Sequence, residues 1–142
     1  MKHILVAMIA IAFGAHALAQ DPKATNPAAA LQGTWVVSTI NGQAPPEGTP
    51  EMTLTFAGEK YSSSTGATVD ERGTFVVDGS KKPMTLDLVI VEGTDAGKTQ
   101  LGIFEIADGT LRMNLDTPGA GQRPADFTIK NTGVMVVAKK KP

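Results

Sequence analysis

The chain has 142 residues, contains no cysteine and carries a formal net charge of −1. The missing cysteine excludes disulfides and cysteine nucleophiles. The near-zero charge argues against nucleic acid or an anionic membrane as the partner.

The N-terminal residues have the pattern of a secretory signal peptide. A short basic start, Met1-Lys2-His3, precedes an apolar run over residues 4–13, and Ala17-Leu18-Ala19 fits the small-x-small cleavage rule. We predict a signal peptide over 1–19, cleavage before Gln20, and export to the periplasm or the extracellular space. The apolar run is well short of the ~20 residues needed to span a bilayer, so no membrane span is expected.

Cleavage would change the chemistry open to the chain. It removes Lys2 and both histidines, so the 13 Lys and Arg residues become 12, against 14 Asp and Glu, a difference of −2. Without histidine, Ser-His-Asp and Cys-His catalysis, the usual zinc sites and a histidine base are excluded. We therefore expect no enzyme activity, no catalytic residues, no metal and no cofactor.

Residues 20–30 read as a linker rich in Ala and Pro. Within it, Asn26-Pro27 suits the start of one helical turn, with Asn as the N-cap and Pro at the first helical position. Leu31 would then press on the end of the domain. A flexible leader is the equal alternative, because termini are often disordered.

The remaining chain reads as short strands separated by Gly, Pro, Asn and Asp turns. The predicted strands are 33–40, 52–56, 60–64, 70–77, 84–91, 99–106, 110–115, 126–130 and 133–139. Residues 41–50 contain three prolines, which forbid regular strand pairing and suggest a flap over a barrel mouth.

Alternation of apolar and polar residues predicts which face of each strand is buried. Met52, Leu54 and Phe56 give the clearest inward face. Residues 88–91 are apolar on both faces, which suggests that another element covers them. The faces of 99–106 stay open, because Glu105 shares a side with Leu101 and Ile103.

Eight to nine sequential strands predict an all-β fold, a single up-and-down antiparallel barrel of about eight strands over 31–139, with a solvated basic tail over 140–142. The interior of such a barrel is filled by side chains or holds one small ligand.

Three segments are candidates for chemistry. The run from Gly93 to Thr99 looks like a phosphate-binding loop, but it has three residues instead of four between its glycines and precedes a strand, so a simple connection is favoured. Asp70 and Glu71 are read as solvated carboxylates. Tyr61 and Ser63 would give a cavity polar groups if they face inward; an exposed polar edge strand is favoured over this.

The chain resembles a lipocalin-like bacterial domain family of the planctomycete type, which has no known activity. The resemblance rests on the order of weak motifs: Leu31-Gln32-Gly33-Thr34-Trp35, Leu54-Thr55-Phe56, Gly73-Thr74-Phe75, Ser80-Lys81-Lys82-Pro83, Gly97-Lys98-Thr99, Leu101-Gly102-Ile103-Phe104-Glu105 and Arg123-Pro124. It implies a barrel whose floor is formed by Gly33 and Trp35, with Arg123 packed over the indole and Arg112 as second choice.

The favoured function is non-enzymatic. We expect an exported lipocalin-like domain that binds a small apolar or amphipathic ligand, with Tyr61, Ser63, Phe75 and Leu88 facing it. The alternative is a protein-interaction or inhibitor-like module without a ligand cavity, using loops 41–50 and 92–98. An enzyme that uses only carboxylates, Ser, Lys or Tyr ranks last.

Overall fold

The structure, a computed structural model, describes residues 26–130 and 132–142. Its elements are α1 (Pro27–Leu31), β1 (Gly33–Ile40), β2 (Met52–Ala57), β3 (Lys60–Thr65), β4 (Thr68–Asp78), β5 (Met84–Glu92), β6 (Thr99–Ala107), β7 (Thr110–Leu115) and β8 (Val134–Lys140). The predicted signal peptide and its cleavage site lie outside the described residues, as does the start of the linker. No helix in the described part of the chain is long and apolar enough to cross a membrane.

The strands form a closed barrel. Each strand pairs antiparallel with the next along the chain, and β8 pairs with β1 to close the sheet. This confirms the prediction of an all-β, eight-stranded, up-and-down antiparallel barrel. Closure leaves no edge strand in the barrel, so the edge-strand interpretation of residues 60–64 is wrong: β3 pairs with both β2 and β4.

The strand predicted over 126–130 is also wrong. These residues belong to the long connection between β7 and β8. The Asp126 carboxylate accepts a hydrogen bond from the Thr128 amide at 3.0 Å, which makes a local turn. The side chain of Asn114, on β7, donates to the Asp126 carbonyl at 2.8 Å. These groups are therefore bonded to side chains instead of to a neighbouring strand.

One end of the barrel is plugged by α1 and Trp35. The Asn26 side chain accepts a hydrogen bond from the Ala28 amide at 3.0 Å, so Asn26 is the N-cap and Pro27 the first helical residue. Of the two alternatives for this segment, the structure has the helical turn. Leu31 is fully buried, and the indole of Trp35 donates to the Leu31 carbonyl at 2.8 Å. The bonded N–H lets this large side chain fill the floor without an unpaired polar atom.

The cation over Trp35 is Lys140, which corrects the prediction of Arg123. The Lys140 ammonium lies 4.7 Å from the centre of the indole ring. Arg123 lies on the outer wall, where its guanidinium pairs with Asp87 at 2.6 Å and donates to the Gly102 carbonyl at 2.8 Å. Arg112 stacks 4.1 Å above the ring of Phe127 instead.

The C-terminal lysines differ from the predicted solvated tail. Strand β8 extends through Lys140, one residue past the predicted end of the domain. The Lys141 amide donates to the Thr34 carbonyl at 2.8 Å, and its ammonium pairs with Glu51 at 3.1 Å. These residues are exposed but make defined contacts.

The pairing register assigns the faces of β6. Gln100, Gly102 and Phe104 are paired with Leu88, Leu86 and Met84 of β5, whose apolar face points into the barrel. Leu101, Ile103 and Glu105 therefore face outward. Ile103 is nevertheless buried, because the connection between β7 and β8 packs on this part of the wall.

No element of the described residues covers the outer face of residues 88–91, although the sequence predicts such a cover. Val89 and Val91, on the outer face of β5, are 38% and 59% exposed. Leu88 and Ile90 on the opposite face are buried. The second apolar face of this strand is therefore a surface feature of the described chain.

Candidate functional site

The barrel is filled at one end and hollow at the other. A cavity of about 200 Å³ opens where β1 and β3 end and where β2 and β6 begin, opposite the floor formed by Trp35. The cavity is lined by Val37, Ile40, Met52, Thr53, Leu54, Phe56, Ser63, Ser64, Thr65, Asp70, Glu71, Leu88, Gln100, Met113, Leu115 and Val136.

The distribution of side-chain sizes explains where the space is. Trp35, Phe56, Phe75 and Phe104 are buried in the closed half. The rings of Phe56 and Phe75 pack edge to face with centres 5.0 Å apart, a favourable geometry for aromatic pairs. Some of the positions that line the cavity carry shorter side chains, such as Val37, Ser63 and Val136. These do not reach across the barrel, so the interior stays open.

The mouth of the cavity is bordered by the connections that follow β1 and β5. Residues 41–51 leave the end of β1, where the Asn41 side chain accepts a hydrogen bond from the Met135 amide at 2.9 Å. The segment resembling a phosphate-binding loop, Gly93 to Lys98, is a turn that leads into β6, with Lys98 paired to Asp95 at 2.8 Å. The predicted connection is confirmed there.

A tyrosine–carboxylate pair supplies one polar group of the interior. The Tyr61 hydroxyl donates to a Glu71 carboxylate oxygen at 2.7 Å, and Tyr61 is only 4% exposed. Burial raises the pKa of the Tyr61 phenol well above its usual range, and the hydrogen bond and negative charge of Glu71 raise this pKa further. Tyr61 therefore stays protonated and holds Glu71 at the cavity wall.

Gln100 supplies a second polar group. It is 8% exposed and lines the cavity. Its Nε2 donates to the Asp116 carbonyl at 2.7 Å, and only the amide nitrogen can face a carbonyl. The remaining amide oxygen, Oε1, accepts no hydrogen bond from any residue that the structure describes.

The predicted ligand-facing residues lie at different depths. Ser63 and Leu88 line the cavity. Tyr61 lies behind Glu71, and Phe75 lies in the closed half against Phe56. Within the described chain, neither Tyr61 nor Phe75 is among the residues that line the cavity.

We compared the chain with known protein families, curated proteins and solved structures. No protein-family model matches the chain, and no curated protein and no solved structure matches it either.

The sequence interpretation did not place Asp70, Glu71 or Gln100 in the site, although all three line the cavity. Asp70 and Glu71 were read as solvated carboxylates, and Asp70 is indeed exposed, but Glu71 is half-buried in the cavity wall. A signal existed in the alternation of β4. Glu71 lies two residues before Gly73 and four before the inward Phe75, so it shares their face.

A second, larger cavity is an open groove on the outer wall. It measures about 680 Å³ and lies between the β4–β5 turn and the connection after β7, with Lys81, Lys82 and Pro83 on one side and Arg123 and Pro124 on the other. Its half-buried ion pair, Asp87 with Arg123, joins the connection to the wall. The groove is thus built around a structural contact, whereas the interior cavity is lined by residues of all eight strands.

Proposed function

We propose that this chain is an exported, lipocalin-like barrel that binds one small apolar or amphipathic ligand in the cavity at its open end. The observation that carries the proposal is a hollow inside the barrel that combines apolar walls with polar groups, a composition typical of ligand sites. The resemblance to the lipocalin-like bacterial family supports the same proposal, and so does the signal-peptide pattern of the N-terminus.

The volume sets the size of the ligand. An apolar cavity of about 150 Å³ in another protein admits benzene. The cavity of about 200 Å³ here suits a ligand or ligand segment slightly larger than that. A longer molecule would have to extend through the mouth, past the 41–51 loop.

Native mass spectrometry of the protein purified from its own host tests the proposal. We expect a retained small molecule in the wild type. Val37→Phe adds a ring to the cavity wall and should abolish the retained mass. Val76→Phe is the matched control, because Val76 is 63% exposed on the outer face of β4. A wild-type protein that carries no adduct and binds no fluorescent apolar probe would contradict the proposal.

A second candidate is a protein-interaction module. The observation that favours it is the outer face of β4 and β5, where Val76, Val89 and Val91 are exposed and Val76 lines the outer groove. Lysine substitution at Val76 and Val91 would then abolish partner binding and leave the interior cavity unchanged. Val37→Phe fills the interior cavity and leaves the outer face unchanged. If Val37→Phe loses the retained ligand but still binds the partner, the two activities belong to different sites.

A further inference from the structure

The cavity has apolar walls, but the charged groups at its mouth are all negative. Its lining includes two carboxylates, Asp70 and Glu71, and no Lys, Arg or His among the described residues. The other polar lining groups are the hydroxyls of Thr53, Ser63, Ser64 and Thr65 and the amide of Gln100. A negative group entering this mouth would meet like charge at short range, which costs free energy in a partly desolvated site.

Neither carboxylate is neutralised by a cation of the described chain. Asp70 accepts a hydrogen bond from the Thr65 hydroxyl at 2.7 Å, and Glu71 accepts one from Tyr61. Both donors are neutral. The cation next in sequence, Arg72, points to the opposite face of β4 and pairs with Glu92 at 3.0 Å. The negative charge at the mouth is therefore available to a ligand.

Gln100 adds a neutral acceptor to the same wall. The residue is 8% exposed and lines the cavity, and no described residue donates to its Oε1. An acceptor in this position is satisfied by a ligand that brings a donor. A carboxylate ligand has no proton to donate at neutral pH, whereas an ammonium has three N–H donors.

We infer that the ligand is a cationic amphiphile, with a short alkyl or aryl body in the apolar cavity and a protonated amine held by Glu71 at the mouth. This inference rests on the proposed function, because it names the chemical class of ligand for the same cavity. The amine would donate to Glu71 and lie within the charged mouth, while the apolar body would contact the walls formed by Leu54, Leu88 and Met113.

Calorimetric titration with three probes of equal length tests the inference: hexylamine, 1-hexanol and hexanoate. We expect hexylamine to bind about tenfold more tightly than 1-hexanol, as for a hydrogen bond to a charged group, and hexanoate to bind most weakly. Glu71→Gln keeps an acceptor for Tyr61 but removes the charge. It should bring the affinity for hexylamine down to that for 1-hexanol.

Glu59→Gln is the matched control, because it makes the same charge change in the exposed β2–β3 turn at the closed end. It should leave the preference for hexylamine unchanged. Hexanoate binding as tightly as hexylamine, or a preference for hexylamine that survives Glu71→Gln, would overturn the cationic-ligand inference and leave the proposed function standing. Failure of all three probes to bind would overturn both.

Discussion

Lys140 and Trp35 join the last strand of the barrel to the first. The two residues are paired in the β1–β8 register, and the Lys140 ammonium lies 4.7 Å from the centre of the indole ring. The same ammonium donates to the Gln32 carbonyl. A Cβ at Gly33 would lie 2.9 Å from this ammonium, so the glycine makes room for the contact. The floor of the barrel is therefore closed by a cation from the end of the chain.

Replacing the cation should weaken this closure. Lys140→Met keeps most of the apolar stem but loses the cation–π contact and the hydrogen bond to Gln32, and we expect a loss of about 0.5–2 kcal/mol in the free energy of unfolding. Denaturant unfolding followed by the fluorescence of Trp35, the chain's one tryptophan, measures it. Lys139→Met is the control, and equal stabilities of the two variants would contradict the assignment.

Removing the indole should be more severe. Trp35 is 1% exposed and its N–H is bonded to Leu31, so Trp35→Ala leaves a cavity at the floor and an unpaired carbonyl. We expect a loss of about 3–5 kcal/mol, as for other buried aromatic residues. Trp35→Phe should cost less, because most of the ring volume is kept. Thermal melts followed by circular dichroism test this, and an unchanged melting temperature in Trp35→Ala would place the residue outside the core.

Much of this arrangement was predictable from local sequence. Strand-forming residues between turn signals predicted every strand of the barrel, with bounds within two residues, because turns in this chain are marked by Gly, Pro and Asp. They also predicted a strand over 126–130 that does not form. The N-cap at Asn26 could be proposed from sequence because Asn suits the N-cap position and Pro27 suits the first helical position. The strand order also followed, since short connections join neighbouring antiparallel strands.

The failures concern contacts between residues far apart in the chain. Arg123 was assigned to Trp35 by family resemblance, but the residue opposite Trp35 is decided by the β1–β8 register, which places Lys140 there. The faces of β6 could not be read from alternation, because Ile103 is buried on the outer side by the connection after β7. The cavity itself depends on which side chains meet inside the barrel, and a single strand does not contain that information.

Tyr61 should make the protein less stable in alkali. Its pKa is raised in the folded state, so the unfolded chain loses this proton first, near a pH of about 10. The contribution of Tyr61 is complete below that pH and falls above it, at up to about 1.4 kcal/mol per pH unit. The absorbance of tyrosinate reports Tyr61 alone, because the chain has one tyrosine.

We therefore expect tyrosinate to appear together with unfolding, and not before it. Tyr61→Phe is the control: its stability should fall less steeply between about pH 10 and 12 than that of the wild type. A fully reversible titration of Tyr61 near its ordinary pKa in the folded protein would show that the phenol is not buried against Glu71.

The most direct test of ligand binding at the open end uses methionine methyl groups as reporters. Met52 and Met113 line the cavity, whereas Met84 lies near the closed end and Met135 lies on the outer side of β8, paired with Asn114. In a ¹³C-methyl-methionine NMR titration with hexylamine or 1-hexanol, we expect the Met52 and Met113 resonances to shift in a saturable way while those of Met84 and Met135 stay in place. If the titration reaches a saturating ligand concentration without a shift at Met52 or Met113, or with shifts only at Met84 and Met135, binding in the barrel cavity is contradicted.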